Sequence, residues 1–373
     1  MLKRPFFYFI HSVCFFCSVS LMSETKINDV QILATHNSFK QYLDPNLSGI
    51  IETVCSLSDI SLEEYQHLPL KDQLDKGVRG FELDVFADPE GGRYREFRFL
   101  SLIGEDGQSH DPDLDKPGFK VMHDVNFDFH ATCHLFTGCL SEIKEWSNAH
   151  PNHLPIFIHV QVRDEPTPII GKYLSVIGLV QPIIITKKLL DALDKEIRAT
   201  IPAQQLITPD QVRGNYMTLR EAALANSWPN LADARGKFIF YMDVRPGVRD
   251  LYLEDHPQLE GRAIFTAPAD SSADDAAFII LNSPVEDGGK IKELVLKGFI
   301  VRTRADSGTV EAYNNDRRTW EAALLSGAQI ISTDYIVPDP KTGTDYYVFM
   351  PNGNPGRCNP IRESFCDADT IAE

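Results

Sequence analysis

Short apolar runs bounded by turn residues alternate along this chain with stretches of helical periodicity. This alternation is typical of parallel β/α architecture, in which each strand is followed by a helix that packs on the sheet. The predicted strands are 30–35, 78–85, 119–123, 156–162, 237–242, 263–267, 278–282, 298–303 and 329–333. The predicted helices include 137–150, 186–199, 218–226, 288–297 and 316–326, the last stopped by Gly327.

Nine candidate strands in 373 residues match an α/β fold of the TIM type, a (β/α)8 barrel, with one additional strand. We expect the additional strand, at an edge or in an insertion, to be 263–267 or 278–282. Residues 86–118 are rich in Gly, Asp and Pro, which predicts an excursion between the second and third strands. The tail from Pro338 onward is expected to be irregular. No repeat or linker interrupts the chain, so residues 23–373 are predicted to form a single barrel domain.

The first 22 residues resemble a secretory signal peptide. Lys3 and Arg4 precede an apolar stretch over 6–22, which contains small residues at 18–20 that suit cleavage. A membrane anchor is the alternative, but a histidine and several serines interrupt the stretch. We therefore predict a signal peptide over 1–22 and a secreted or periplasmic mature protein.

The cysteine spacing agrees with an oxidising compartment. Beyond the predicted signal peptide, the spacing suggests the disulfides Cys133–Cys139 and Cys358–Cys366 and leaves Cys55 over. A zinc site is the alternative, but these spacings match no common zinc motif.

The net charge of −17 limits the partners of this protein. A nucleic-acid-binding domain normally carries a basic surface, so nucleic acid is excluded as the expected ligand. Broad electrostatic adhesion to anionic lipid is excluded for the same reason. A lipid substrate would therefore be met through a local, apolar and transient contact with the membrane surface, and nothing in the sequence implies a stable protein partner.

Polar side chains follow or end three of the predicted strands. His36 and Asn37 follow the first, Glu82 and Asp84 share one face of the second, and His123 ends the third. Since the carboxyl ends of barrel strands meet at one rim, we expect these side chains to converge. Together they offer the ligands of a hard divalent cation and an acid–base pair for a phosphodiester, which predicts a metal-dependent phosphodiesterase.

The two interior carboxylates need compensation by a cation or strong donors. A salt bridge to Arg79 is the structural alternative to a metal. The amide oxygen of Asn37 suits calcium or magnesium better than zinc. Imidazole titrates near neutral pH, so His36 and His123 are the candidate catalytic acid and base.

Later strands add further candidates. His159 and Gln161 face the predicted interior; we interpret His159 as a hydrogen-bonded barrel residue and Gln161 as a candidate fourth metal ligand. Arg302 and Arg304 share one face of a late strand and are candidate contacts for a substrate phosphate or hydroxyl. The alternative for both arginines is ion pairing with inner acids such as Asp243.

Three motifs carry a family resemblance. Residues 34–39 (ATHNSF), 80–84 (GFELD) and 122–124 (MHD) resemble the phosphatidylinositol-specific phospholipase C superfamily, and most closely its secreted, calcium-dependent bacterial branch. Segments in agreement follow in the expected order at 236–243, 301–306 and 326–334.

The resemblance implies a (β/α)8 barrel, a Ca2+ cofactor and cleavage of a phosphoinositide into diacylglycerol and an inositol phosphate. It implies His36 and His123 as the catalytic histidines. It also implies Asn37, Glu82 and Asp84 as calcium ligands. The eukaryotic relatives have an acidic ligand where this chain has Gln161, so this departure bears on calcium affinity.

Two other functions fit the same residues. One is a glycerophosphodiester phosphodiesterase, which shares the layout of histidines and acids and acts on deacylated headgroups. The other is a catalytically silent barrel that binds phosphate or sugar, although a binding protein has no need of an acid–base pair.

Overall fold

The computed structural model describes residues 24–49, 64–165, 179–243, 245–351 and 353–373. The predicted signal peptide and Cys55 lie outside the described residues. The strands are β1 (Val30–Thr35), β2 (Val78–Phe86), β3 (Lys120–Val121), β4 (Ile156–Arg163), β5 (Phe238–Asp243), β6 (Ile264–Ala267), β7 (Phe278–Ile280), β8 (Ile300–Arg304), β9 (Ile330–Thr333) and β10 (Gly356–Cys358).

The helices lie between the strands, as the sequence pattern predicts. The α-helices wholly within the described residues are α1 (Leu70–Asp75), α2 (Arg98–Leu102), α3 (Phe136–Ala149), α4 (Lys187–Thr200), α5 (Pro209–Arg213), α6 (Leu219–Leu224), α7 (Leu231–Ala234), α8 (Pro246–Leu253), α9 (Pro284–Leu296), α10 (Val310–Asn314) and α11 (Arg318–Ser326). Helix α11 ends at Gly327, whose φ of 82° is a left-handed conformation that favours glycine. In the described part of the chain, no helix is both long and apolar enough to cross a bilayer.

Eight parallel strands form a nearly closed barrel, which confirms the predicted fold class. Their order around the barrel is β6-β5-β4-β2-β1-β9-β8-β7, and each neighbouring pair in this order is hydrogen-bonded. Side chains cover the seam between β6 and β7, where the rings of Phe265 and Phe278 lie 5.1 Å apart.

The additional strand is β3, so the expectation that it would be 263–267 or 278–282 is wrong. Those two segments supply the parallel strands β6 and β7. Strand β3 has only two residues and pairs antiparallel with the end of β2, with Val121 opposite Val85. The excursion after β2 reverses the direction of the chain and returns beside the end of β2, so the two strands pair as the arms of an antiparallel hairpin.

Aromatic side chains fill the barrel interior beneath a charged layer. Tyr241 and Phe278 stack with ring centroids 4.8 Å apart. The His159 ring stacks on Tyr241 from the charged side, at 4.9 Å. Glu82, on the neighbouring strand, stands directly opposite His159 in the β2–β4 register. The polar residues therefore lie toward one end of the barrel.

The C-terminal tail contacts the barrel closely. Strand β10 pairs antiparallel with β1. Both predicted disulfides, Cys133–Cys139 and Cys358–Cys366, are formed. Arg79 forms an ion pair with Glu373 near the start of β2, so the alternative in which it neutralises Glu82 or Asp84 is wrong.

Candidate active site

The turn after β1 places His36 and Asn37 at the rim. The backbone N–H of His36 donates to the Thr333 carbonyl of β9 at 3.0 Å. The N–H of Glu82 donates to Ser38 Oγ at 2.8 Å, so the turn is also tied to β2. Asn37 has a φ of 44°, a left-handed conformation that asparagine tolerates better than most residues.

The His36 ring is held by a buried carboxylate. Its Nδ1 lies 2.8 Å from Asp334 Oδ1 and 2.8 Å from the Tyr65 hydroxyl. Burial alone would raise the pKa of Asp334, but the Arg304 guanidinium and His36 hold it at about 2. Since this carboxylate is ionised, Nδ1 of His36 carries the proton and donates it, and Nε2 is left to face the site.

His123 has the same arrangement with a different acid. Its Nδ1 lies 2.7 Å from Asp128 Oδ2, which also accepts from Lys40 Nζ at 2.5 Å. Burial opposes ionisation of Asp128, but Lys40 and His123 hold its pKa below the usual range. The His123 side chain is 30% exposed, so its ring borders solvent. Both histidines therefore have a buried carboxylate on Nδ1.

The strand that positions His123 differs from the one that the sequence predicts. The strand that precedes it is antiparallel to β2, so His123 does not follow the carboxyl end of a parallel barrel strand. It is nevertheless near Asp84, where it opposes the rise that burial causes in the pKa of that carboxyl group. The short β3 ladder places this histidine beside the carboxylates.

Glu82 lies in the barrel interior, as its position in the strand predicts. Arg302 donates to Glu82 Oε2 at 2.5 Å, and His36 Nε2 lies 3.8 Å from Oε1. Burial would raise the pKa of Glu82, but Arg302, His36 and His159 hold it well below the usual range. Glu82 is therefore ionised and lies next to a candidate catalytic histidine.

Asp84 is also fully buried, and its two oxygens have different surroundings. Arg163 donates to Oδ2 through Nε at 2.9 Å and through Nη2 at 2.6 Å. Oδ1 has no hydrogen-bond partner among the described residues. Burial raises the pKa of Asp84 against the opposing effect of Arg163.

Gln161 and His159 occupy the facing positions of β4. Gln161 stands opposite Asp84 in the strand register, and its Nε2 lies 3.4 Å from Asp243 Oδ2. His159 is buried between Glu82 and Asp243. Burial would lower the pKa of His159, but the two carboxylates raise it to about 9. His159 is thus a buried barrel residue between acids.

Both late arginines lie inside the barrel and contact acids. Arg302 pairs with Glu82, and Arg304 donates to Asp334 Oδ2 at 2.6 Å. Each is at most 5% exposed. The alternative of ion pairing with inner acids describes these contacts, although the acids are Glu82 and Asp334 and not Asp243.

Two buried oxygens fit a hard cation. Asn37 Oδ1, like Asp84 Oδ1, is buried and has no hydrogen-bond partner among the described residues. The Asn37 amide is oriented by its Nδ2, which donates to the Tyr65 hydroxyl at 3.1 Å. An unpaired buried oxygen is costly, and each of these oxygens is of the kind that calcium binds. Within the described ranges, no group of three or more His, Cys, Asp or Glu side chains is placed so that it could hold a metal ion, so amide oxygens would have to contribute.

Several residues of the site were missed by the sequence analysis. Asp334 follows the last barrel strand, and the rule that singled out His36 after the first strand could have identified it. Asp128 and Tyr65 lie in irregular segments without a periodic signal. Arg163 ends β4 on the face of Gln161 and His159, so its position could have been derived from strand alternation.

The fold is shared with solved bacterial enzymes. A calcium-dependent phosphoinositol-specific phospholipase C from a Gram-negative Pseudomonas sp is 14% identical, with a TM-score of 0.55 over 90% of this chain and 96% of that one. A Ca2+-dependent phosphatidylinositol-specific phospholipase C from Streptomyces antibioticus is 16% identical, with a TM-score of 0.52 over 83% and 95%. These similarities define the fold, a barrel of parallel strands and helices.

A family model identifies the family itself. Residues 25–360 match the model described as phosphoinositide phospholipase C, Ca2+-dependent. The chain therefore belongs to the Ca2+-dependent phosphoinositide phospholipase C family, whose cofactor is calcium. No curated protein sequence matches the chain significantly.

Proposed function

We propose that this protein is a calcium-dependent phosphodiesterase that cleaves phosphatidylinositol-type lipids into diacylglycerol and an inositol phosphate. The observation that carries the proposal is the pair of histidines at one site, each with Nδ1 on a buried carboxylate. This arrangement leaves each Nε2 to exchange a proton with a substrate. A barrel that only binds a ligand does not need it.

In the proposed mechanism, His36 Nε2 accepts the proton of the inositol hydroxyl as that oxygen attacks phosphorus. His123 donates a proton to the diacylglycerol oxygen as its bond to phosphorus breaks. Asp334 and Asp128 stabilise the imidazolium form of their partners, because an ionised carboxylate favours a cation on the ring.

The proposed calcium ligands are Asn37, Glu82, Asp84 and Gln161. Calcium, when bound, acidifies the attacking hydroxyl and neutralises charge that develops on the phosphate. Two of these four residues are neutral amides, so water and substrate oxygens would complete the usual six to eight ligands. Arg302 and Arg304 act indirectly. Arg302 holds the Glu82 carboxylate in place, and Arg304 holds the Asp334 carboxylate.

We also propose export and a transient contact with a membrane surface. Residues 23–373 would form the mature barrel, in a secreted or periplasmic location that suits its two disulfides. Leu102, Ile184 and Val310 are exposed apolar side chains in the segments that follow β2, β4 and β8. Such side chains suit a local contact with lipid.

The direct test is incubation of the mature protein with phosphatidylinositol, with calcium or with a chelator, and identification of both products. We expect diacylglycerol and an inositol phosphate, and loss of turnover in the chelator. His36→Ala and His123→Ala should each lose at least about two orders of magnitude in rate. His110→Ala removes an exposed histidine as a matched control and should leave the rate unchanged.

Other outcomes would identify the alternatives. Glycerol phosphate released from soluble glycerophosphodiesters, with intact lipid left uncleaved, would identify a glycerophosphodiester phosphodiesterase. A folded protein that turns over no phosphodiester would overturn both enzymatic functions and leave a binding barrel.

A further inference from the structure

Arg163 contacts a carboxylate that the proposed function assigns to calcium. It is the last residue of β4, and its Nε and Nη2 both donate to Asp84 Oδ2, at 2.9 and 2.6 Å. The other oxygen, Asp84 Oδ1, is buried without a hydrogen-bond partner in the described part of the chain. Asp84 therefore has one oxygen held by a guanidinium and one oxygen free for a cation.

Arg163 is held less firmly than the arginine on the other carboxylate. Arg302 is 4% exposed and donates to Glu82, Asn282 and Ser332. Arg163 is 33% exposed, and both of its hydrogen bonds to other described residues are to Asp84. Arg302 is therefore held from several sides, whereas the partly exposed Arg163 has fewer contacts that oppose a rotation away from Asp84.

The charges of Glu82, Asp84, Arg163 and Arg302 determine how strongly the site attracts a dication. Glu82 and Asp84 supply two negative charges, and Arg302 and Arg163 supply two positive charges. A dication that approaches this neutral cluster gains little net attraction and meets a positive charge at Asp84. If Arg163 leaves, the remaining three groups carry a net negative charge and attract the ion.

We propose that Arg163 is a tethered cation that competes with calcium for Asp84. Its guanidinium occupies Asp84 in the metal-free protein and moves away when calcium binds, so Arg163 lowers the affinity of the site. The proposal rests on the calcium ligation by Asp84 proposed above. It makes Arg163 a positioning residue that determines the calcium concentration at which the site fills.

The test is calorimetric titration of calcium into the substrate-free protein. Arg163→Gln should bind calcium about tenfold or more tightly than the wild type, because a competing charge has been removed. Arg163→Lys keeps the charge but loses the two-point contact, so its affinity should be intermediate. The matched control is Arg245→Gln, which removes an arginine that follows β5 and pairs with Asp164 and Glu165, and it should bind as the wild type does.

A second measurement covers the case in which Arg163→Gln folds poorly. Calcium should raise the melting temperature of Arg163→Lys by more than it raises that of the wild type. Equal or weaker calcium binding by the folded Arg163 variants would overturn the proposal.

A further variant, Asp84→Asn, distinguishes failure of the role proposed for Arg163 from failure of the proposed calcium site. If Asp84→Asn abolishes calcium binding while Arg163→Gln leaves it unchanged, only the role of Arg163 is overturned. If neither the wild type nor any variant binds calcium, and lipid cleavage persists in a chelator, the calcium ligation is overturned along with it.

Discussion

His36 Nδ1 lies 2.8 Å from Oδ1 of Asp334, although 298 positions separate the two residues in the chain. The contact exists because β9 pairs directly with β1, so the residues that follow the two strands meet at the rim. Asp334 is in turn held by Arg304 through its other oxygen. The protonation state and orientation of His36 therefore depend on the closure of the barrel.

Asp334→Asn should lower turnover by about two or more orders of magnitude. The neutral amide can no longer stabilise a protonated His36, and it can present a donor to Nδ1 and favour the wrong tautomer. The measurement is the pH dependence of kcat. This dependence would not change if Asp334 had only a structural role. Asp128→Asn should act in the same direction through His123. Wild-type turnover and an unchanged pH profile in Asp334→Asn would remove this carboxylate from the mechanism.

The same carboxylate should make stability depend on pH in the acid range. The pKa of Asp334 is about 2 in the folded protein, below the ordinary value of about 4, so its ionised form stabilises the fold. This contribution, about 2–3 kcal/mol, is present above pH ~4 and is lost as the pH falls toward 2.

Denaturant unfolding of the wild type and Asp334→Asn should therefore show a stability difference that is largest near neutral pH and shrinks between about pH 5 and 2. The exposed Asp250 gives a matched control, and Asp250→Asn should show almost no difference at any pH. A constant difference between wild type and Asp334→Asn would contradict the assigned charge.

Gln161→Glu should tighten calcium binding by the substrate-free protein by about tenfold or more, because a third carboxylate adds charge beside Asp84. Gln161→Ala should raise the calcium concentration that activity requires. Calorimetry measures the first effect, and a calcium titration of the rate measures the second. Gln211→Glu places the same change at an exposed position and should have no effect. Unchanged affinity in Gln161→Glu would exclude residue 161 from the metal site.

Reduction of the disulfides should lower stability more than it lowers activity. Each disulfide closes a short loop, of separation 6 for Cys133–Cys139 and 8 for Cys358–Cys366, and each should contribute about 2 kcal/mol. Mass spectrometry of the non-reduced protein establishes the pairing, and thermal melts with and without reductant measure the stability. Free thiols at all four positions would contradict both the pairing and the argument for export.

Local periodicity predicts which face of a strand each side chain occupies. Side chains alternate across a strand whatever surrounds it, so the placement of Glu82 and Asp84 on one interior face follows from residues 81–85 alone. The same local rules predict the barrel strands to within a few residues, and they predict the end of α11 at Gly327. The family motifs at 34–39 and 80–84 depend on these same short segments.

The contacts between side chains of different strands depend on the folded barrel. The direction of β3 depends on how a long excursion returns to β2, and no pattern within residues 119–123 distinguishes a parallel from an antiparallel strand. The pairing of Arg163 with Asp84 arises because two separate strands lie side by side in a particular register. Alternation is a property of one strand, whereas charge pairing is a property of the closed barrel. For this reason the sequence predicts which residues face the barrel interior, whereas their ion-pair partners depend on how the strands are arranged in the barrel.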